Sequence, residues 1–215
     1  MLARIALLGG TFDPIHIGHL AIAEDVRFAL NADRVLFVPA AQQPLKSYQH
    51  TASAPDRLEM TRLAVADNPA FAVADIEIRR GGLSYSVETV AQIGAEYPKA
   101  ELFFIVGVDA AATLPQWFQV ERLLHLCRIA IVERPGYIFD PQALFEALPL
   151  ARERTVLVPG PALDISASEV RQRLRAGRPV RYHLPAAVSQ YIEQRGLYRE
   201  ASPHDPTRTA ADNHA

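Results

Sequence analysis

Near the amino end, Gly9-Gly10-Thr11-Phe12-Asp13-Pro14-Ile15-His16-Ile17-Gly18-His19-Leu20 gathers residue types that could hold an anion. Paired glycines let a backbone approach a ligand closely. Two histidines three residues apart, at the start of a helical pattern, aim nitrogens at one place. A helix N-terminus adds free N–H groups and partial positive charge, so the combination suits phosphate. Taken singly, a glycine pair after a strand is a turn, and such a histidine pair is solvated or capping. Their convergence with Thr11 inside twelve residues is what points to phosphate chemistry. Zinc is disfavoured, because H-E-x-x-H and an evident third ligand are missing. The dinucleotide fingerprint G-x-G-x-x-G, which an oxidoreductase on a similar sheet would need, is missing too.

A second set lies far downstream, at Leu163-Asp164-Ile165-Ser166-Ala167-Ser168-Glu169-Val170-Arg171. Ser166 can cap a helix, and Glu169 three residues on completes a capping box. Ser168 and Arg171 then share a helix face and can meet a ligand, unless the segment is only a well-capped surface helix. Trp117 is the sole tryptophan and is open to two readings, core packing or stacking on a flat ring. Of the 22 basic residues only Lys46 and Lys99 are lysines. Lys46 falls in Ala40–Ala54, a long polar stretch that reads as a mobile substrate loop or as disorder.

These residues need a scaffold, and the hydrophobic pattern supplies one. Ile5–Leu8, Val35–Val38, Phe71–Ile78, Leu102–Val106, Ile129–Val132 and Val156–Val158 are strand candidates, several of them unbroken apolar runs suited to strands covered on both faces. Gly18–Leu30 carries Ile22, Val26, Ala29 and Leu30 on one stripe of an amphipathic helix. Pro55–Ala66, Val87–Ile93 and Val120–Leu126 are further helices. The alternation predicts an α/β fold with a doubly wound parallel sheet in a single domain. Ligands of such sheets bind beyond the carboxyl ends of the strands, where strand order reverses.

A chain of 215 residues suits one α/β domain, and 49% apolar with 21% charged residues is ordinary for a globular protein. A formal charge of −2 offers no positive excess for a nucleic acid backbone. No apolar run approaches the roughly 18 residues of a membrane helix, and the apolar run before Gly9 is too short for a signal peptide, so a cytoplasmic protein is expected. Cys127 is the only cysteine, which excludes an intrachain disulfide and suggests a buried structural thiol. After Tyr198 the composition turns polar, and 200–215 reads as a disordered tail. The pattern gives no oligomeric state.

The two motifs together resemble the nucleotidyltransferase superfamily with H-x-G-H and I-S-x-x-x-x-R signatures, matched by Gly10 to His19 and by Ile165 to Arg171. A finer resemblance, over 1–199, is to the bacterial nicotinate-nucleotide adenylyltransferase family. It rests on Gly9 to Pro14, Ser84-Tyr85-Ser86, Gly107-Val108-Asp109, Leu114-Pro115-Gln116-Trp117, Arg134-Pro135-Gly136 and the ending Leu184-Pro185 through Gly196-Leu197-Tyr198. The resemblance implies a Rossmann-like fold that binds ATP with Mg²⁺ and transfers AMP to nicotinate mononucleotide in NAD biosynthesis, releasing pyrophosphate without a covalent enzyme intermediate. It implies that Gly9, Gly10, Thr11, Phe12, His16 and His19 hold the inner phosphates, with Gly107 and Asp109 near the adenosine. Ser166, Ser168 and Arg171 would hold the outer phosphates, with His16, His19 and Arg171 as the catalytic set. Lys46, Ser84, Tyr85, Ser86 and Trp117 would take the mononucleotide. The family loop commonly reads Pro-Pro-His before Lys or Arg, where this chain has Gln43-Pro44-Leu45-Lys46; Ser86 and Ser168 stand in for Thr. Alternatives are the same chemistry on nicotinamide mononucleotide or phosphopantetheine, and an inactive nucleotide-binding regulator.

Overall fold

The structure is a computed structural model that describes residues 2–42, 51–134, 136–137 and 139–199. The expectations for Lys46, for the centre of the Ala40–Ala54 stretch and for a disordered 200–215 tail lie outside the described residues. Along the chain the elements are β1 (Arg4–Gly10), α1 (Ile17–Leu30), β2 (Arg34–Pro39), α2 (Ala54–Val65), β3 (Phe71–Val73), α3 (Ile76–Arg80), α4 (Ser86–Glu96), β4 (Glu101–Gly107), α5 (Val108–Ala111), α6 (Val120–Leu126), β5 (Arg128–Val132), α7 (Pro141–Ala147), α8 (Ala151–Arg154), β6 (Thr155–Val158), α9 (Ala167–Arg175) and α10 (Ala186–Gln194). A 3₁₀ turn, Leu114–Gln116, lies between α5 and α6.

All six strands run parallel in one sheet of order β3-β2-β1-β4-β5-β6, the doubly wound arrangement the sequence predicts. Successive residues of a strand face opposite sides. In β1, Ala6 and Leu8 therefore join a core with Phe37, Phe103, Val26, Val170 and Ile192. Ile5 and Leu7 point into a second core with Phe104, Val90, Leu123 and Ile131. Burial on both faces explains why these strands read as continuous apolar runs rather than as alternating ones. Cys127 belongs to the second core, its Sγ 3.4 Å from the Leu123 carbonyl, and burial pushes the thiol up to about 12.

Two expectations about these elements need correction. The run Phe71–Ile78 is not one strand: β3 stops at Val73 and the chain turns into α3. Asp75 binds Arg79 at 2.8 Å and Arg62 at 3.4 Å, and Ile76 turns into the second core. The stripe of α1 is shifted, because Gly18, Ala23, Val26 and Leu30 are buried while Ala29 is exposed. Alanine is small enough to sit on either face. Helix α7, absent from the sequence reading, carries a plain start signal, since Pro141 opens it and the Asp140 side chain accepts the Gln142 N–H at 2.8 Å.

Candidate active site

Strand order reverses between β1 and β4, and both strands end in glycine there. Their last paired residues are Leu8 and Ile105, so Gly10 and Gly107 each lie two residues beyond. After Gly10 the chain turns through Phe12, whose φ of 50° is left-handed and whose buried ring meets the His19 ring edge-on at 5.1 Å. A Cβ at Gly10 would lie 2.7 Å from the Phe12 ring, closer than real contacts allow, so this position takes only hydrogen.

His16 is the N-cap residue of α1 and is buried, while His19 is its third helical residue. The helix thus starts at Ile17, ahead of the expected Gly18. The His16 N–H donates to His19 Nδ1 at 3.2 Å, the His19 N–H donates to the His16 carbonyl at 3.0 Å, and the rings stack with centroids 3.7 Å apart. Burial first, and then the nearby His183, lower the His16 pKa to about 4, so its imidazole is uncharged at neutral pH. His16 Nδ1 and Thr11 Oγ1 are buried without a protein partner. A Cβ at Gly18 would stand 3.1 Å from His16 Nδ1 and 3.7 Å from the Ile165 carbonyl, so the glycine between the histidines lets the downstream segment close in.

That segment starts α9. Ser166 caps the helix by accepting the Glu169 N–H at 3.2 Å. The expected return bond from the Glu169 side chain does not form; its carboxylate takes Arg173 at 2.9 Å, an i,i+4 pair that competes for it. Arg171 Nη2 donates to Ser168 Oγ at 3.2 Å, and Nη1 donates to the Asp13 carbonyl at 2.7 Å across 158 positions of sequence. The two motifs therefore meet at the reversal of the sheet.

Two flanks extend from this centre. On one, Gly107 caps α5, and the exposed Asp109 lies 3.9 Å from Arg134, which also binds Asp164 at 2.9 Å. Such exposed pairs add little stability but set the position of charge. On the other, Ser84 Oγ accepts the Ala41 N–H at 3.0 Å, Tyr85 packs its ring 4.6 Å from that of Phe118, and Ser86 opens α4. Trp117 is half-buried, donates Nε1–H to Thr113 Oγ1 at 3.3 Å, and meets Phe104 edge-on at 6.1 Å. A Cβ at Gly9 would come within 3.2 Å of that same Phe104 ring, so one side chain separates the first glycine from the tryptophan. Trp117 thus packs on the second core and keeps open surface.

Sequence reasoning missed four residues around the first motif. Asp13 is buried, and its carboxylate accepts N–H from Thr51 at 2.8 Å and Ala52 at 3.1 Å and the Tyr198 hydroxyl at 2.6 Å. Arg57 is wholly buried and donates to the carbonyls of Thr11 (2.6 Å), Ala40 (2.7 Å) and Ala41 (3.3 Å). Burial lowers its pKa, against the opposing pull of Asp13. His183 accepts the Ile17 N–H on its carbonyl at 3.0 Å, which sets its ring beside His16. Asp13 stood within the motif and Tyr198 within the carboxyl-terminal signature; Arg57 and His183 left no local signal.

Comparison with known proteins places this arrangement. A sequence profile of the cytidylyltransferase-like family matches residues 7–173. A relative from Herpetosiphon aurantiacus, named "probable nicotinate-nucleotide adenylyltransferase", is 50% identical over 195 residues, covering 91% of this chain and 98% of the relative. A relative of the same name from a Roseiflexus species is 53% identical over 197 residues, covering 92% and 98%. Among solved structures, nicotinic acid mononucleotide adenylyltransferase from Plasmodium falciparum, complexed with NaAD, superposes with a TM-score of 0.74 at 19% identity, covering 91% of this chain and 97% of that one, a likeness of fold.

Proposed function

The chain belongs to the cytidylyltransferase-like family and to the nicotinate-nucleotide adenylyltransferases, and from that membership we propose that it transfers AMP from ATP to nicotinate mononucleotide, forming nicotinate adenine dinucleotide and pyrophosphate. The observation that carries this reading is the 2.7 Å bond from Arg171 to the Asp13 carbonyl, which sets a guanidinium beside the amino end of α1 and its histidines.

The acceptor phosphate is already an anion, so no side chain has to become a nucleophile. The difficulty is to bring one anion against another and to hold charge on the departing pyrophosphate, which is a matter of positioning and electrostatics. Gly9, Gly10, Thr11 and Phe12 present main chain to the inner phosphates, and the free N–H groups of α1 face the same way. His16, uncharged at neutral pH, contributes a hydrogen bond rather than a positive charge. His19 stacks on it and reaches the same phosphates. Arg171 has five donors, only two of them used in the contacts above, and with Ser166 and Ser168 it holds the outer phosphates. Gly107 and Asp109 flank the adenosine. Ser84, Tyr85, Ser86 and Trp117 take the mononucleotide together with Lys46. ATP would enter as its Mg²⁺ complex, the cation offsetting the charge of the triphosphate. Partners are these small molecules, and the proposed reaction is a cytoplasmic one. Among the described residues no helix is long and apolar enough to cross a membrane.

The test is pyrophosphate release with ATP and Mg²⁺, with nicotinate and nicotinamide mononucleotides offered side by side. Faster turnover of the acid is expected, and preference for the amide, or no release with either, overturns the assignment. In the same assay His19→Ala should lower kcat by about 10²–10³ while ATP affinity changes far less, as for removal of one transition-state donor.

A further inference from the structure

The loop from Gly10 to Asp13 is held entirely by residues that come later in the chain. Its Gly10 carbonyl accepts the Ala40 N–H at 2.8 Å, its Thr11 carbonyl takes Arg57, and its Asp13 carbonyl takes Arg171. Its Asp13 carboxylate is hydrogen-bonded to the segment after α10. Beyond α10 the chain bends back, with the Leu197 N–H on the Ile192 carbonyl at 3.0 Å, and brings Tyr198 inward. Tyr198 is buried and its φ is 63°. That is left-handed backbone, which costs a non-glycine residue energy and persists only where its surroundings enforce it. The enforced conformation ends in one polar contact, the 2.6 Å bond to Asp13 Oδ1.

The geometry points to Tyr198 as a positioning residue of the nucleotide site: it acts through the Asp13 carboxylate to fix the Gly10–Asp13 loop where ATP phosphates bind. This rests on the functional reading above for the identity of the nucleotide. Burial and the adjacent carboxylate both push the phenol pKa upward, so the hydroxyl remains a donor throughout the working pH range. The same carboxylate accepts the N–H groups of Thr51 and Ala52, so Tyr198 completes its set of donors. Without the hydroxyl, Asp13 keeps the Thr51 N–H on Oδ2 and the Ala52 N–H on Oδ1 but loses the shortest of its three contacts.

The experiment compares Tyr198→Phe with Tyr191→Phe in the full chain. Tyr191 makes an equivalent bond, hydroxyl to Asp56 Oδ1 at 2.9 Å, which does not touch the loop. ATP affinity is measured calorimetrically without mononucleotide, well below the melting temperature of each variant. Tyr198→Phe should weaken ATP binding about tenfold and leave the mononucleotide KM within twofold, whereas Tyr191→Phe should lower the melting temperature with ATP affinity unchanged. Adding Tyr198→Phe to Asp13→Ala should cost nothing further, since Asp13→Ala already removes the acceptor of the Tyr198 hydroxyl. ATP affinity within twofold of wild type in Tyr198→Phe, or an equal loss in Tyr191→Phe, overturns the proposal. If the wild-type chain binds ATP but releases no pyrophosphate with nicotinate mononucleotide, the acceptor assignment fails, while the ATP titration still decides the role of Tyr198.

Discussion

Around Asp13 the loop is held by short bonds from distant donors, while around Trp117 the contacts are ring edges that leave surface open. On the first side Arg57, Arg171 and Tyr198 reach in from three separate segments, each at 2.7 Å or less to its loop atom. On the second, Tyr85 meets a half-exposed Phe118, and Trp117 has one bond of 3.3 Å to Thr113. Under the proposed function the difference follows the chemistry asked of each. Phosphates of fixed shape reward donors held rigidly before binding, because reorganisation during reaction then costs nothing. A flat ring is bound by area, which half-buried aromatic side chains supply with less constraint.

The contrast would break first at Arg171. Arg171→Ala should reduce kcat/KM by about 10³, since it removes the proposed phosphate donor and frees the Asp13 carbonyl; steady-state rates of pyrophosphate release measure this. If Arg171→Lys recovered most of the loss, charge alone would matter and the paired contacts to Asp13 and Ser168 would not.

A second prediction concerns pH. The His16 pKa falls from an ordinary 6.5 to about 4 on folding, so between those values the unfolded chain binds a proton that the folded chain refuses. Stability should therefore decline as pH drops from 6.5 towards 4, by about 3 kcal/mol across the window, and this group should add no slope above it. Denaturant titrations at several pH values should show a shallower decline in His16→Gln. An identical decline in both would mean that His16 is not the buried, neutral group on which the rigid side depends.

The smallest effect is expected on the open side. Trp117→Ala should raise the KM for the mononucleotide about tenfold and leave that for ATP nearly unchanged, the size of one lost stacking contact. Trp117 fluorescence should likewise respond to the mononucleotide and little to ATP. A response to ATP alone would couple the two sides and blur the distinction.

Much of this was legible in the sequence because it is local. Gly10, His16 and His19 sit within one turn of chain, Ser166 announces α9 three residues ahead of the N–H it caps, and the apolar runs of β1, β2, β4 and β5 need no context. Where local patterns compete, the reading failed: Phe71–Ile78 has strand-like composition on both sides of a break made by Asp75, and Glu169 had two partners within reach. What was not legible depends on distance. Nothing near Arg57 says that its guanidinium will close three carbonyls, and the Tyr198–Asp13 bond spans 185 positions without any periodicity to betray it.

That span has a consequence for how the protein comes into being. Chains emerge from the ribosome amino end first, and early segments begin to organise before later ones exist. The glycines and histidines of the first motif are therefore made long before Arg171 and Tyr198, and the nascent chain holds the whole signature without its final anchors. Competence to hold ATP should arrive late in synthesis and nearly at once, when α9 and the segment after α10 dock together.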